Sequence, residues 1–238
     1  MEIIDSHTHW GASVTLGIRV STENLLEQAE KCGVDRIVVF PFPSQALAHE
    51  GVNGDILEEC EKVGAFIPYY YIPEDLRPIP VEKGYRGGKW HWMRGIQDAA
   101  SNYEVLKDPG LRDFIERSEA IDLPIIVEEE LAFTRAFVDM TRTLKVIIPH
   151  LGMLGGDPMD FLDHFKDDEN VHFDTALAAP SILAEFARRI GPERILFGSD
   201  VPFGTMEREL QKVLSLPLGE EAKEKILGEN LRRLIRME

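Results

Sequence analysis

At 238 residues, 44% hydrophobic and 29% charged, the chain has enough apolar surface for a packed core and falls in the size range of one α/β barrel domain. A net charge of −16 opposes a phosphate-backbone partner, and no apolar run approaches the roughly 18 residues of a membrane span, so nucleic acid and membrane are both set aside as partners. Two cysteines without a CxxC pattern, and an opening MEIIDSHTHW with no basic signal region, point to a reduced, cytoplasmic setting.

The chain opens on a strand at 2–7, with Ile3 and Ile4 as its apolar pair. A helix is expected over 22–32, stopped by Gly33. The run DRIVVF, 35–40, is continuous and β-branched, as in a parallel strand buried on both faces. A helix at 55–63 ends before Gly64, and a third strand covers 65–72. Residues 73–86 hold Pro73, Pro78 and Pro80 without a period and read as a loop. A short fourth strand takes 87–91, and a long loop leads to a helix at 111–121. The fifth strand, 124–128, precedes a helix running to Arg142, and the sixth is 145–149. A helix follows Asp157-Pro158, where Asp caps and Pro fills the first turn. Strand seven is 171–174 with its helix at 180–190, strand eight is 194–198, and helices at 205–214 and 220–237 close the chain. Eight strands, each followed by helical material, predict a (β/α)8 TIM barrel forming a single domain over 1–238. An open doubly wound sheet is the rival, but the first βα turn reads SHTHWG and not a glycine-rich phosphate loop.

Nearly every predicted strand ends in a residue able to do chemistry: His7 and His9, Lys89 and His91, Glu128, His150, Asp174, Asp200. In a barrel these ends converge on one face. His7 and His9, two apart on a strand, point to one side and can share a metal ion. Asp200 follows the apolar run ILFGS, where a carboxylate needs a cation or donor to meet it; a helix cap before Pro202 is the alternative. His150 precedes LGMLGG, a glycine-rich loop that would let a ligand approach. Glu128 opens Glu128-Glu129-Glu130 and reads either as a site carboxylate or as the acidic start of a helix. Asp174 reads as a cap or as a partner that orients a histidine. Trp90 and Trp92 read equally as core or substrate wall, and His49, His164 and His172 as surface residues.

The motifs IIDSHTHWG, RGGKWHW, IIPHLGML, ILFGSDVPF and GENLRRLI resemble those of the amidohydrolase-related, metal-dependent TIM-barrel family. The resemblance implies His7, His9 and Asp200 as metal ligands and His150 as the residue that moves a proton or positions water. The chain departs from the pattern after DLPIIV, where the family has histidine and this sequence has Glu128. Glu128 or His91 then completes the metal site. The expected function is hydrolysis of a small carboxylated lactone, amide or ester by water activated on one divalent ion, zinc before manganese or iron. His150 and Asp200 are the expected catalytic residues, His7, His9, Glu128 and Asp200 the metal ligands, and Lys89, His91 and Arg94 the grip on an anionic substrate group. Decarboxylation of a ring acid is the alternative, and an inactive barrel serving as a binding scaffold the third reading. A homo-oligomer is left open.

Overall fold

The computed structural model describes residues 1–49, 51–91 and 101–237. Nine strands form one sheet: β1 (Ile4–Ser13), β2 (Ile18–Val20), β3 (Arg36–Pro41), β4 (Phe66–Tyr71), β5 (Gly87–Trp90), β6 (Ile125–Val127), β7 (Val146–Ile148), β8 (Val171–Asp174) and β9 (Ile195–Leu196). The order is β2-β1-β3-β4-β5-β6-β7-β8-β9; β2 pairs antiparallel with β1, and all other pairings are parallel. The helices are α1 (Thr22–Cys32), α2 (Pro43–Ala48), α3 (Val52–Lys62), α4 (Pro109–Ile121), α5 (Leu131–Val138), α6 (Pro158–Phe165), α7 (Pro180–Ile190), α8 (Met206–Leu214), α9 (Glu220–Glu224) and α10 (Asn230–Leu234).

The sheet curls until its ends meet. Ser6 N donates to Phe197 O at 2.8 Å, Asp200 N to His7 O at 2.7 Å and His9 N to Val201 O at 3.0 Å, so the stretch leaving β9 lies against β1. Side chains alternate across the curl. Val38, Phe40, Ile67, Ile126, Ile147 and Leu196 form an inner cluster with Leu231, Leu234 and Ile235. Their neighbours Ile37, Val39, Ile125, Val127, Val146 and Ile148 pack outward on helix residues such as Leu25, Phe133, Phe161 and Leu183. The last helix therefore seals the end where the strands begin, and the polar strand ends gather at the other.

Gly33 and Asp157 act where they were expected, and Ser21 and Thr205 add two further caps. Ser21 caps α1, Gly33 ends it with φ 75°, Asp157 caps α6 and Thr205 caps α8. The helix expected to run to Arg142 stops at Val138, and three further features differ. β1 runs past His7 to Ser13 and turns back into β2, a return too short to show a pattern of its own. The six-residue α2 follows β3 directly, with Pro43 in its first turn. The closing helix is divided by a π-helical stretch at Lys225–Glu229.

His172 is a correction: it is buried, not on the surface. It shares the axial side of β8 with Asp174, because Val171 and Phe173 pack outward. Burial, with Arg194, Arg233 and Lys145 nearby, pushes its pKa down to about 4, against a hydrogen bond to the Asn170 carbonyl. The unfolded chain therefore binds a proton near 6.5 that the folded chain refuses until about 4. This contribution is complete above pH 6.5 and is lost as pH falls through that window, on the order of 3 kcal/mol in all. His172→Gln is expected to flatten the fall of urea-unfolding stability between pH 6.5 and 4; an unchanged slope in the variant would contradict this.

Candidate metal centre

β1 carries a register irregularity between Asp5 and Thr8, and His7 and His9 both end up buried, with ring centroids 5.7 Å apart. His7 Nδ1 lies 2.7 Å from Asp174 Oδ2, which leaves His7 Nε2 as the free nitrogen. That nitrogen is 3.4 Å from Asp200 Oδ1, and His9 Nε2 is 3.2 Å from the same oxygen. His7 Nε2 and Asp200 Oδ1 are buried and have no hydrogen-bond partner. Two orphaned ligand atoms in a dry site would be costly. Ligands about 2.0–2.1 Å from a tetrahedral ion stand ~3.3 Å from each other, so a divalent cation fits among His7, His9 and Asp200. The same three residues form one of two groups of metal-competent atoms among the described residues. The other, His7, His150 and Asp174, shares His7, whose Nδ1 is already taken by Asp174.

Burial and the Lys89 charge lower the His7 pKa, against Asp174 and Asp200, so the ring is neutral as a ligand must be. Burial raises Asp174, but His7, His150 and backbone N–H groups outweigh it and hold the carboxyl at about 2. Asp174 Oδ1 accepts from His150 N and Ala176 N, each at 3.0 Å. Asp174 is thus the orienting partner, not a cap. His150 (φ 56°), Leu151 (φ 54°) and Asp200 (φ 53°) all take left-handed backbone, which costs non-glycine residues of order 1 kcal/mol or more and clusters at functional sites. Gly198 is required by close approach: a Cβ there would lie 3.1 Å from His7 Cβ and 3.3 Å from Asp174 Cγ. The glycines after His150 serve packing, not ligand approach. Gly152 has φ 87° and lies against the Phe161 ring, and a Cβ on Gly155 would meet the Glu129 carbonyl at 2.1 Å.

Glu128 reaches the same chamber but is bonded to the Lys89 ammonium, with His91 Nδ1 at 3.3 Å and His150 Nε2 at 3.7 Å. It stands outside the trio of His7, His9 and Asp200. Lys89 is fully buried, sits 4.7 Å above the Phe40 ring and is bonded to Glu128. Arg94 and Trp92 lie outside the described residues. Trp90 is core, packed among Phe114, Phe133 and Phe137. Burial pulls the His150 pKa down, but the neighbouring Glu128 and Asp200 carboxylates outweigh it and push it up to about 9.

A hollow of about 370 Å³ opens on His9, His91, Glu128 and Asp200, with Phe42, Leu177 and Phe203 among its apolar walls. His9 stacks on Phe42 at 4.5 Å, and Phe203 meets it edge-on. Neither phenylalanine was legible as a site residue, since both follow strands in segments without a period. A larger hollow of about 570 Å³, beside Asn53, Tyr70 and Arg77, contains none of the candidate residues.

If Glu128 takes part in holding a metal, Glu128→Gln weakens affinity about tenfold or more and Glu128→His restores it. Because Lys89 occupies this carboxylate, the expected result is a change below about threefold in both, read by competition with a chelating dye. A large loss in Gln with recovery in His would return Glu128 to the metal.

A curled parallel α/β sheet whose strand ends gather histidines and carboxylates around a cation-shaped gap defines a metal-dependent enzyme class. Residues 80–237 match the amidohydrolase family model, and the chain belongs to that family as an enzyme of the amidohydrolase superfamily. The matched span contains four of the five motifs above; the His7/His9 opening precedes it. No curated protein matches the chain. Among solved structures it is similar to 2,6-dihydroxybenzoate decarboxylase from Rhizobium, at 17% identity and TM-score 0.80 over 99% of each chain. A dihydroxybenzoic acid decarboxylase from Polaromonas sp. JS666, holding manganese and 2-nitroresorcinol, gives 15% and 0.76 over 99% of this chain and 97% of that one. An amidohydrolase from Burkholderia multivorans with bound zinc gives 15% and 0.79 over all of both chains. At these identities the likeness shows the fold.

Proposed function

We propose that the chain is a single-domain (β/α)8 barrel and a metal-dependent, non-oxidative decarboxylase of a small ring carboxylic acid. The closed barrel is supported by the hydrogen bonds that join β1 to residues 197–201. The metal would be held by His7, His9 and Asp200, with manganese or zinc suggested by the similar structures. Bound there, a divalent ion supplies the positive charge that anchors an anionic substrate group.

The observation that carries the reading is His150. Its Nδ1 faces the Ala176 carbonyl at 3.3 Å, and its Nε2 lies 3.7 Å from Glu128 and 3.8 Å from Asp200. Two carboxylates flank Nε2 and raise the ring's pKa, which favours the protonated ring and a role as an acid. Decarboxylation needs an acid: the ring carbon takes a proton, the bond to the carboxylate carbon breaks, and carbon dioxide leaves. Phe42 and Phe203 form flat walls suited to an aromatic ring, and the apolar hollow keeps water from the carbon. Glu128, steadied by Lys89, holds the His150 proton ready.

Hydrolysis of a carboxylated lactone, amide or ester is the second reading. It is favoured by the placement of the Asp200 carboxylate in the wall of the hollow beside His9, where it is able to take a proton from water. The test is carbon dioxide release from mono- and dihydroxybenzoates by protein reconstituted with manganese or zinc, beside a lactone and ester panel. Hydrolysis without carbon dioxide release would replace the first reading by the second.

A further inference from the structure

α8 carries a buried ion pair that the reaction above does not use. Glu209 is 1% exposed and Lys212 9%, and their side chains are bonded to each other. Two charges taken out of water recover their desolvation cost only when further hydrogen bonds satisfy them. Here those bonds go to the backbone of one short segment. Lys212 Nζ donates to Thr175 O at 2.6 Å, and Glu209 accepts from Leu177 N at 3.1 Å. Between these anchor points lies Ala176. Its carbonyl faces His150 Nδ1 at 3.3 Å, and its N–H is bonded to Asp174. Ala178 N donates to Ala176 O at 2.7 Å and to Thr175 O at 3.3 Å, but Leu177 between them takes φ 59°, a conformation leucine avoids, and its N–H is met by Glu209. Gly204 allows the approach of its neighbours: a Cβ there would lie 2.3 Å from Ser199 O and 3.0 Å from Leu177 Cδ2.

We propose that Glu209 and Lys212 are positioning residues that clamp residues 175–177, so that the Ala176 carbonyl fixes a proton on His150 Nδ1 and aims Nε2 between Glu128 and Asp200. Neither touches substrate. Their effect on turnover rests on the role given to His150 above; their effect on the His150 ring does not.

The experiment reads solvent exchange of the His150 Nδ1–H by NMR on protein labelled with ¹⁵N-histidine, with the signal assigned by its loss in His150→Asn. His7 Nδ1–H, held by Asp174 at the end of β8, is the internal control. In the double variant Glu209→Gln/Lys212→Met no charge is left buried alone, so folding stability is expected close to the parent. Exchange at His150 is expected to rise about tenfold or more while His7 changes by less than about twofold. Turnover is expected to fall about tenfold to a hundredfold, the scale of a small misplacement of a reacting group, with metal content retained. Glu209→Gln alone keeps the side-chain shape and an acceptor but leaves Lys212 without its counter-charge; in the folded fraction it is expected to give a smaller rise of about threefold. Parent-like His150 exchange in the folded variants overturns the proposal and leaves the pair a structural tie. If exchange rises as expected but no acid is decarboxylated by the parent, the clamp stands and the reaction proposed for the site fails.

Discussion

Replacing His7 and His9 together by alanine is expected to leave a folded chain that no longer retains a divalent ion through dialysis. Each imidazole removes one edge of the gap around Asp200 Oδ1, where the distances of 3.4 and 3.2 Å match the ligand spacing of a tetrahedral ion. Loss of a group that merely orients a ligand weakens metal binding about tenfold to a hundredfold, so loss of two ligands is expected to exceed a hundredfold. Stability is expected to fall as well. His7→Ala takes the partner from Asp174 Oδ2, and leaving one buried acceptor unmet costs about 1–3 kcal/mol. Asp174 Oδ1 keeps its bonds to His150 N and Ala176 N, so the loop after β8 is expected to hold. Elemental analysis beside circular dichroism separates the two effects. A folded double variant with one metal per chain would remove these histidines from the site.

His150→Asn is expected to lower turnover about a hundredfold or more, the usual range for removing a general acid, with metal content near that of the parent. The ring lies outside the gap among His7, His9 and Asp200, and its Nε2 approaches Asp200 through Oδ2 at 3.8 Å, not through Oδ1. The sign of the pH dependence follows from the imidazolium. Burial lowers its pKa, but Glu128 and Asp200 outweigh burial and push it up to about 9, so the acid form is present below that value and lost above it. The parent is expected to lose turnover on an alkaline limb near pH 9 that is absent from the residual activity of His150→Asn. A metal-free variant would make His150 a ligand instead.

The sequence alone determined the elements whose signals are local. The α1 and α7 ranges, the Gly33 boundary and the outward-inward alternation of Ile125, Ile126 and Val127 rest on capping chemistry and on period, which a few adjacent residues express. It also determined that His150 and Asp200 lie just beyond short apolar strands, whereas His7 and His9 fall within β1, which runs on to Ser13. Tertiary structure alone decided who partners whom. Asp174 orients His7 across 167 positions of chain, and Lys89 claims Glu128 across 39, distances over which no period or cap carries information. His172 looked exposed because it stands at the start of a strand after the acidic run 167–169, yet the curl of the sheet turns its side inward. Phe42 and Phe203 become walls of one hollow only when the residues after β3 and β9 are brought together around β1. The pair Glu209 and Lys212 carries no signal of burial in the sequence, and α8 buries it where the backbone of residues 175–177 offers Lys212 an acceptor at Thr175 O and Glu209 a donor at Leu177 N.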